Sequence, residues 1–122
     1  MDLMEEYRRA TLYFESGDPA GAARLLEPII EAEPRNLAVR QLLARAYFGS
    51  AQLSRAETHL KVLLEQDPSD HYAHHVLGRT LERQGRRPEA LRHLRLAAAM
   101  NPENYDYQSA VIRVENQLSA SG

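Results

Sequence analysis

The sequence of 122 residues contains no cysteine, and of its fifteen Lys and Arg residues only Lys61 is a lysine. Without cysteine, disulfides, thiolate nucleophiles and thiolate metal sites are excluded. No apolar run approaches the roughly 20 residues that a membrane-spanning helix needs. The scarcity of lysine leaves arginine as the main cationic side chain, which offers rigid, bidentate donors to carboxylates.

The overall charge is also small. A formal net charge of -2 gives no general attraction to nucleic acid or to an anionic membrane. The opening "MDLMEEYRRATLYF" is acidic and amphipathic, whereas a signal peptide has a basic stub and an apolar core, so we expect no signal peptide and a cytoplasmic location. The length of the chain predicts one domain or one short array.

The clearest pattern is an internal repeat. The strings "AEPRN", "QDPSD" and "MNPEN" contain Pro34, Pro68 and Pro102, which are 34 residues apart. Other sets share this interval: Ala22, Ala56 and Ala90; Leu26, Leu60 and Leu94; Ala10, Ala44 and Gly78; Tyr13, Tyr47 and Leu81. A fixed period of this length is typical of an array of stacked supersecondary units.

Each in-phase set has a mechanical interpretation. Apolar residues fall at helical spacing on two segments of each unit, which predicts a pair of antiparallel helices. The small residues mark close approach of the two helices, and Tyr13 and Tyr47 are predicted to lie in the core. Proline ends the second helix because it lacks a backbone N–H. The remaining boundary residues are the predicted N-caps Asn36, Asp70 and Asn104 and the predicted helix ends Gly17 and Gly85.

This set of small, bulky and proline positions at a 34-residue period resembles the tetratricopeptide repeat (TPR) family. The resemblance implies an all-α, antiparallel helix-hairpin solenoid, a TPR-like superhelix of about seven helices. We expect a single domain over residues 1–122, with repeats at 3–36, 37–70 and 71–104. A capping helix is expected at 105–118, followed by a frayed tail at 119–122. The apolar stripe of the capping helix is Tyr107, Ala110, Val111, Val114 and Leu118.

The resemblance further implies a protein–protein interaction adaptor. In such modules the first helix of each hairpin lines a concave groove that holds a peptide or a partner helix. The residues expected to face that groove are Tyr7, Thr11, Phe14, Gln41, Arg45, Phe48, Tyr72, His75, Arg79, Arg83 and Arg113.

Three of these residues, Arg45, Arg79 and Arg113, are in phase, so stacking of the repeats would stack three guanidinium groups. Such like charges repel unless an anionic group sits among them. One hypothesis is a docking strip for acidic side chains or a terminal carboxylate of the partner. The other is that each arginine pairs within the fold, for example Arg79 with Glu82 at i+3, or lies solvated. The sequence leaves both open.

A subclass of the family binds the acidic C-terminal tails of cytosolic chaperones through a clamp of lysine, asparagine and arginine. The positions in the clamp's phases are Tyr7, Thr11, Leu42, Tyr72 and Val76. None is basic and none is asparagine. The clamp is therefore absent, and binding of chaperone tails is not carried over to this chain.

The stretch "DHYAHHVLGR" contains His71, His74 and His75. His71 and His75 are i,i+4 neighbours on a helix, but a zinc site needs three or four protein ligands, so no metal site is predicted. His75 precedes Arg79 by one turn and is expected to be a groove donor with pH-dependent charge. No nucleophile with a nearby base and no glycine-rich phosphate loop occurs, so neither an enzyme nor a cofactor is expected.

Two alternative functions come from other classes. A short solenoid with exposed ends could form a homodimer through Leu3, Met4 and Leu12 or through the capping helix. The segment "ARAYFGSAQLSRAETHL" superficially resembles a helix-turn-helix, but a pI near 6.2 argues against a nucleic-acid partner.

Overall fold

The computed structural model of the protein describes residues 2–121, with side chains through residue 120. Within this range the chain forms seven α-helices and no strand, so the predicted all-α class is confirmed. The helices are α1 (Leu3–Glu15), α2 (Pro19–Ala32), α3 (Leu37–Gly49), α4 (Leu53–Gln66), α5 (His71–Arg83), α6 (Arg87–Met100) and α7 (Tyr105–Ser121). No helix in residues 2–121 is both long and apolar enough to cross a bilayer.

Capping side chains determine where first helices begin. Asn36, Asp70 and Asn104 each accept a hydrogen bond from the backbone N–H three residues ahead, at 3.1, 3.0 and 3.1 Å. This contact satisfies one of the N–H groups that have no partner within the helix. The three predicted N-caps are confirmed, and helix starts recur at residues 3, 37, 71 and 105.

The turn inside each hairpin contains a left-handed residue. Gly17 and Gly85, the predicted helix ends, have φ of 90° and 79°. The in-phase residue of the middle repeat is Ala51, which has φ of 60°. Left-handed backbone favours glycine because it has no Cβ to collide with the carbonyl oxygen. The middle turn therefore adopts the geometry of the other two without the residue that adopts it most easily.

The chain folds as two compact units, Met1–His59 and Leu60–Gly122. In the first unit, α2 packs between α1 and α3, and α1 also lies beside α3. The in-phase residues Ala10, Ala22, Ala44 and Leu26 are fully buried there. The repeat pattern thus identified the core of this unit, with one exception.

That exception is Tyr13, predicted to lie in the core but 39% exposed, whereas Tyr47 is 4% exposed. Tyr47 in α3 lies against α2, where its hydroxyl donates a 2.7 Å hydrogen bond to Oε1 of Glu27. Tyr13 lies in α1, and none of the described helices covers it as α2 covers Tyr47. The prediction for Tyr13 was wrong because phase alone does not supply the neighbouring helix.

In the second unit, α6 packs between α5 and α7, and α5 lies beside α7. A Cβ on Gly78 would lie 2.5 Å from Cδ2 of Leu94, which confirms that this small residue permits close approach of α5 and α6. The apolar stripe of α7 is also confirmed. Its Ala110 and Val114 are buried with Leu91 and Leu94, and the helix continues to Ser121, past the expected end at residue 118.

Candidate functional site

The first unit positions six of the predicted groove residues. They lie on two neighbouring helices and are all half-buried: Tyr7, Thr11 and Phe14 on α1, and Gln41, Arg45 and Phe48 on α3. The guanidinium carbon of Arg45 lies 4.8 Å from the centre of the Phe14 ring. This cation–π contact holds the guanidinium of Arg45 against the ring of Phe14. The sequence pattern alone did not indicate that these two residues are in contact.

A shallow cavity of about 180 Å³ opens at the other end of these helices. It is lined by Leu3, Met4, Tyr7, Ile29, Glu33, Asn36, Ala38 and Val39. Most of these side chains are apolar, and Met4, Tyr7 and Ala38 among them also lie in first helices at positions predicted to face the groove. The cavity can therefore receive a small apolar side chain next to the Tyr7 ring.

The second unit contains an ion pair across α5 and α7. Arg113 donates from Nε and Nη2 to the two carboxylate oxygens of Glu82, at 2.8 and 2.7 Å. Gln117 adds a longer hydrogen bond of 3.3 Å to the same carboxylate. The hydrogen bond from Arg113 and its positive charge lower the pKa of Glu82. This fork-to-carboxylate geometry fixes the guanidinium of Arg113 at the surface.

Arg79 lies close to this pair. The charges of both Arg79 and Arg113 lower the pKa of Glu82, and both also lower the pKa of His75. Arg79 and Arg113 are both exposed, and the exposed Arg83 follows Arg79 by one turn of α5. Glu82 forms its bidentate hydrogen bonds with Arg113 in α7, and the sequence alternative had suggested Arg79 as its partner. In the sequence, Arg113 was identified as a candidate site residue by its position 34 residues after Arg79.

His75 lies beneath these arginines. It is 8% exposed and stacks on Tyr107 of α7, with ring centres 4.6 Å apart and an interplanar angle of 27°. Its buried Nδ1 has no hydrogen-bond partner. Burial, followed by the charge of Arg79, lowers the pKa of His75 to about 4. The ring is therefore neutral at pH 7 and packs as an aromatic surface between α5 and α7.

Tyr72, the remaining predicted groove residue of this unit, is half-buried at the start of α5, and so is its neighbour His71. Nδ1 of His71 lies 2.8 Å from the hydroxyl of Tyr107. His71 and His75 thus both contact Tyr107, while His74 points toward His93 of α6. Within the described part of the chain, no three His, Asp or Glu side chains are grouped to hold a metal ion.

The positions of the chaperone-tail clamp are unsuited to bind a carboxylate. Leu42 and Val76 are buried apolar residues, and Thr11 donates its hydroxyl to the carbonyl of Tyr7 at 3.0 Å. Tyr7 and Tyr72 are half-buried. None of these side chains carries a positive charge.

Comparison with known proteins places this geometry in context. A tetratricopeptide repeat profile matches residues 13–80, more than half of the chain, and a second tetratricopeptide repeat profile matches residues 71–95. A search of curated protein sequences gives no match.

Several solved structures share the fold. The first TPR domain of Spaghetti (RPAP3), bound to the HSP90 peptide SRMEEVD, superposes with a TM-score of 0.87 at 18% identity, over 96% of this chain and 93% of that one. The first TPR domain of human RPAP3 gives a TM-score of 0.86 at 18% identity, over 97% and 93%. MamA from Desulfovibrio magneticus RS-1 gives 0.92 at 15% identity, over 97% and 67%. At these identities the likeness shows the fold, an all-α helical-hairpin solenoid.

Proposed function

Because the chain belongs to the tetratricopeptide repeat family, whose fold is a protein–protein interaction scaffold, we propose that it is an adaptor whose first helices bind an acidic segment of a partner protein. The main support is the surface of the second unit where the charges of Arg79 and Arg113 act on the same carboxylate, with the exposed Arg83 one turn after Arg79 on α5. Of the neighbouring structures, the one with Spaghetti contains a peptide that includes two consecutive glutamates.

The charges of this surface favour a carboxylate ligand. The guanidinium groups of Arg79 and Arg113 lie near the carboxylate of Glu82, and Asp106 adds a second negative charge near His75. Arg113 is held by Glu82, which reduces the rotamer entropy that binding would otherwise cost. A partner carboxylate would place negative charge beside cations that otherwise repel one another.

The first unit has an aromatic surface of its own. The Arg45 guanidinium stacked on Phe14, together with the half-buried Tyr7 and Phe48, offers aromatic surface of the kind that dominates binding energy in protein interfaces. We therefore expect this surface of the first unit to bind apolar side chains of a partner. The mode differs from the chaperone-tail clamp, because the clamp positions of this chain are uncharged.

Charge reversal of Arg79 and Arg83 tests this proposal. Reversal of Arg113 is less suitable, because it would place a second carboxylate against Glu82 and weaken the contact of α7. The full-length R79E/R83E variant should lose capture of the partner from an extract of the native organism, as measured by affinity purification and mass spectrometry. Circular dichroism should show that the variant remains folded at the temperature of the capture experiment.

A matched control is R24E/R35E, which makes the same change in net charge at two exposed arginines outside the predicted groove. The control should keep the partner. Equal capture by both double variants would show that the arginine surface is not the docking site. Loss in both variants would indicate an effect of total charge.

Self-association is a second candidate function, favoured by the exposed apolar side chains of α1. Met4 and Leu12 are 68% and 64% exposed, whereas Ala46, the in-phase counterpart of Leu12 in α3, is fully buried. In α3 this face packs against other helices of its unit, so a second copy could cover the same face of α1. Sedimentation over a range of concentrations tests this, and Leu12→Asp should keep the chain monomeric if α1 forms the interface.

A further inference from the structure

Three in-phase side chains bind the carbonyl oxygen of the proline that closes each repeat. Nη2 of Arg40 donates to the Pro34 carbonyl at 2.8 Å, and Nε2 of Gln108 donates to the Pro102 carbonyl at 3.1 Å. In the third case, Nε2 of His74 lies 2.9 Å from the Pro68 carbonyl oxygen. The same structural task is thus performed by arginine, histidine and glutamine at one position of the 34-residue period.

Two of these side chains also contact the second helix of their own hairpin. Nη1 of Arg40 lies 2.8 Å from Nδ1 of His59, and Nδ1 of His74 lies 3.1 Å from Nδ1 of His93. His59 and His93 are themselves in phase. Each arrangement ties a turn, a first helix and a second helix together, and we call it the repeat tie.

The positions of the protons in these ties follow from donor and acceptor capacity. Arginine has only donors, so Nδ1 of His59 must accept and the His59 proton lies on Nε2. A second proton on His59 would place an N–H group against Arg40 and break the contact. Burial, followed by the charge of Arg40, accordingly lowers the pKa of His59. The middle tie therefore tolerates no added proton.

The tie of the third repeat differs, because both partners are histidines. A carbonyl only accepts, so His74 must carry a proton on Nε2, and in the neutral ring its Nδ1 is then an acceptor. His93 must donate through Nδ1–H. The ring centres are 5.3 Å apart with an interplanar angle of 26°, and this separation exceeds the 3.1 Å between the nitrogens by about two ring radii. The rings therefore meet edge to edge in an in-line N–H···N hydrogen bond.

We propose that the tie between His74 of α5 and His93 of α6 responds to the number of protons bound. Its hydrogen bond persists with no added proton or with one, and it breaks when both rings are charged. One added proton can occupy Nε2 of His93, the nitrogen that the tie leaves unprotonated. One proton then still lies between the two Nδ1 atoms, on either ring, and the hydrogen bond is kept. A second added proton would leave an N–H group on each of the two Nδ1 atoms. Two N–H groups would then face each other across 3.1 Å, and the hydrogen bond is lost.

The surroundings set the pH range in which this happens. Lys61 of α4 and Arg92 of α6 oppose the charging of His93, and Glu89 of α6 favours it. Burial, then the charge of His74, then these cations lower the pKa of His93 to about 4. The tie is closed at neutral pH and opens in acid. Its opening would loosen the hairpin that presents Arg79 and Arg83, but the inference concerns the fold and does not depend on the docking proposal.

Nitrogen-detected NMR of the imidazole rings in the full chain tests the proton positions directly. At pH 7.5 we expect His74 with its proton on Nε2 and His93 with its proton on Nδ1. On acidification, Nε2 of His93 should gain a proton while one proton still lies between the two Nδ1 atoms. A His93 ring protonated on Nε2 at pH 7.5, or two rings that titrate independently, would overturn the proposal.

The position of α7 that is in phase with His74 is a glutamine, which indicates a conservative substitution. His74→Gln copies Gln108, so it can keep the bond to the Pro68 carbonyl while it removes the second protonation site. The fall in Tm from pH 7.5 to pH 4.5 should be smaller by several degrees in H74Q than in the wild type. His71→Gln removes a histidine of the same helix outside the pair and should keep the full fall. An undiminished fall in H74Q contradicts the proposal, and if H74Q does not fold, the wild-type proton positions decide.

Discussion

The hydroxyl of Tyr47 donates a 2.7 Å hydrogen bond to the carboxylate of Glu27, and this contact joins α3 to α2. Burial and this hydrogen bond raise the pKa of Tyr47. Tyr13 occupies the same phase one repeat earlier and is partly exposed. The two tyrosines therefore form a natural pair in which one residue makes the interhelical bond and the other does not.

Tyr47→Phe should lower the free energy of unfolding by about 1 kcal/mol, since it removes a hydrogen bond to a charged acceptor in a partly buried site. Tyr13→Phe is the matched control and should change it by less than about 0.5 kcal/mol, as expected for a surface substitution. Urea denaturation followed by circular dichroism measures both. Equal effects of the two substitutions would contradict the assigned role of Glu27.

Glu82→Gln should weaken the contact of α7 with α5 and cost about 1 kcal/mol at pH 7, because the pair is only partly exposed and its geometry is bidentate. The lowered pKa of Glu82 means that this stabilisation is present above the ordinary glutamate pKa and is lost as pH falls through the folded-state value. Chemical denaturation at pH 7 and pH 3 measures both effects.

The matched control is Glu89→Gln, which removes the exposed i,i+3 partner of Arg86. Exposed ion pairs one turn apart on a helix contribute about 0.3–0.5 kcal/mol, so its effect should be clearly smaller. A cost for E89Q that equals or exceeds that of E82Q would show that the interhelical pair is no stronger than a surface contact.

His75 makes stability depend on pH because its neutral form is the one that the fold buries. Its pKa is lowered from 6.5 to about 4, so the unfolded chain binds a proton more readily between these values. Stability is therefore complete above about pH 6.5 and falls as pH drops toward 4. His75→Phe should keep the stack on Tyr107 and remove this component, which scanning calorimetry from pH 7.5 to 4.5 can measure.

At pH 7 the same substitution should raise Tm slightly, because it removes a buried nitrogen that has no hydrogen-bond partner. His71→Phe offers a comparison on the same helix, at a ring that does have a polar contact with Tyr107. A fall in Tm between pH 7.5 and 4.5 that is as large in H75F as in the wild type would contradict the assignment of this component to His75.

Ala51→Gly should stabilise the protein by about 0.5–1 kcal/mol, because an alanine in the left-handed region costs roughly 1–2 kcal/mol and the entropic cost of glycine offsets only part of this. Gly85→Ala, at the in-phase position of the third repeat, should destabilise by about 1 kcal/mol for the same reason. Thermal and urea melts of the two variants check the opposite signs, and a destabilised A51G would contradict the strain assigned to Ala51.

The helices, their caps and most of the core could be predicted from the sequence alone. Proline, the capping residues and the small residues recur every 34 positions, and helix starts recur at residues 3, 37, 71 and 105. This worked because these features depend on backbone geometry and on side-chain volume, which are local properties. Tyr13 shows the limit, since its burial needs a neighbouring helix that phase cannot provide.

The polar contacts between helices could be identified only from the tertiary structure. Arg113 with Glu82, and His74 with His93, join residues that lie 31 and 19 positions apart. Hydrogen bonding requires atoms to meet within a few tenths of an ångström at the right angle, so it depends on how two helices pack and which rotamers they allow. For the same reason His75, expected from its phase to be a surface donor, lies buried against Tyr107, and its charge is set by burial and by Arg79.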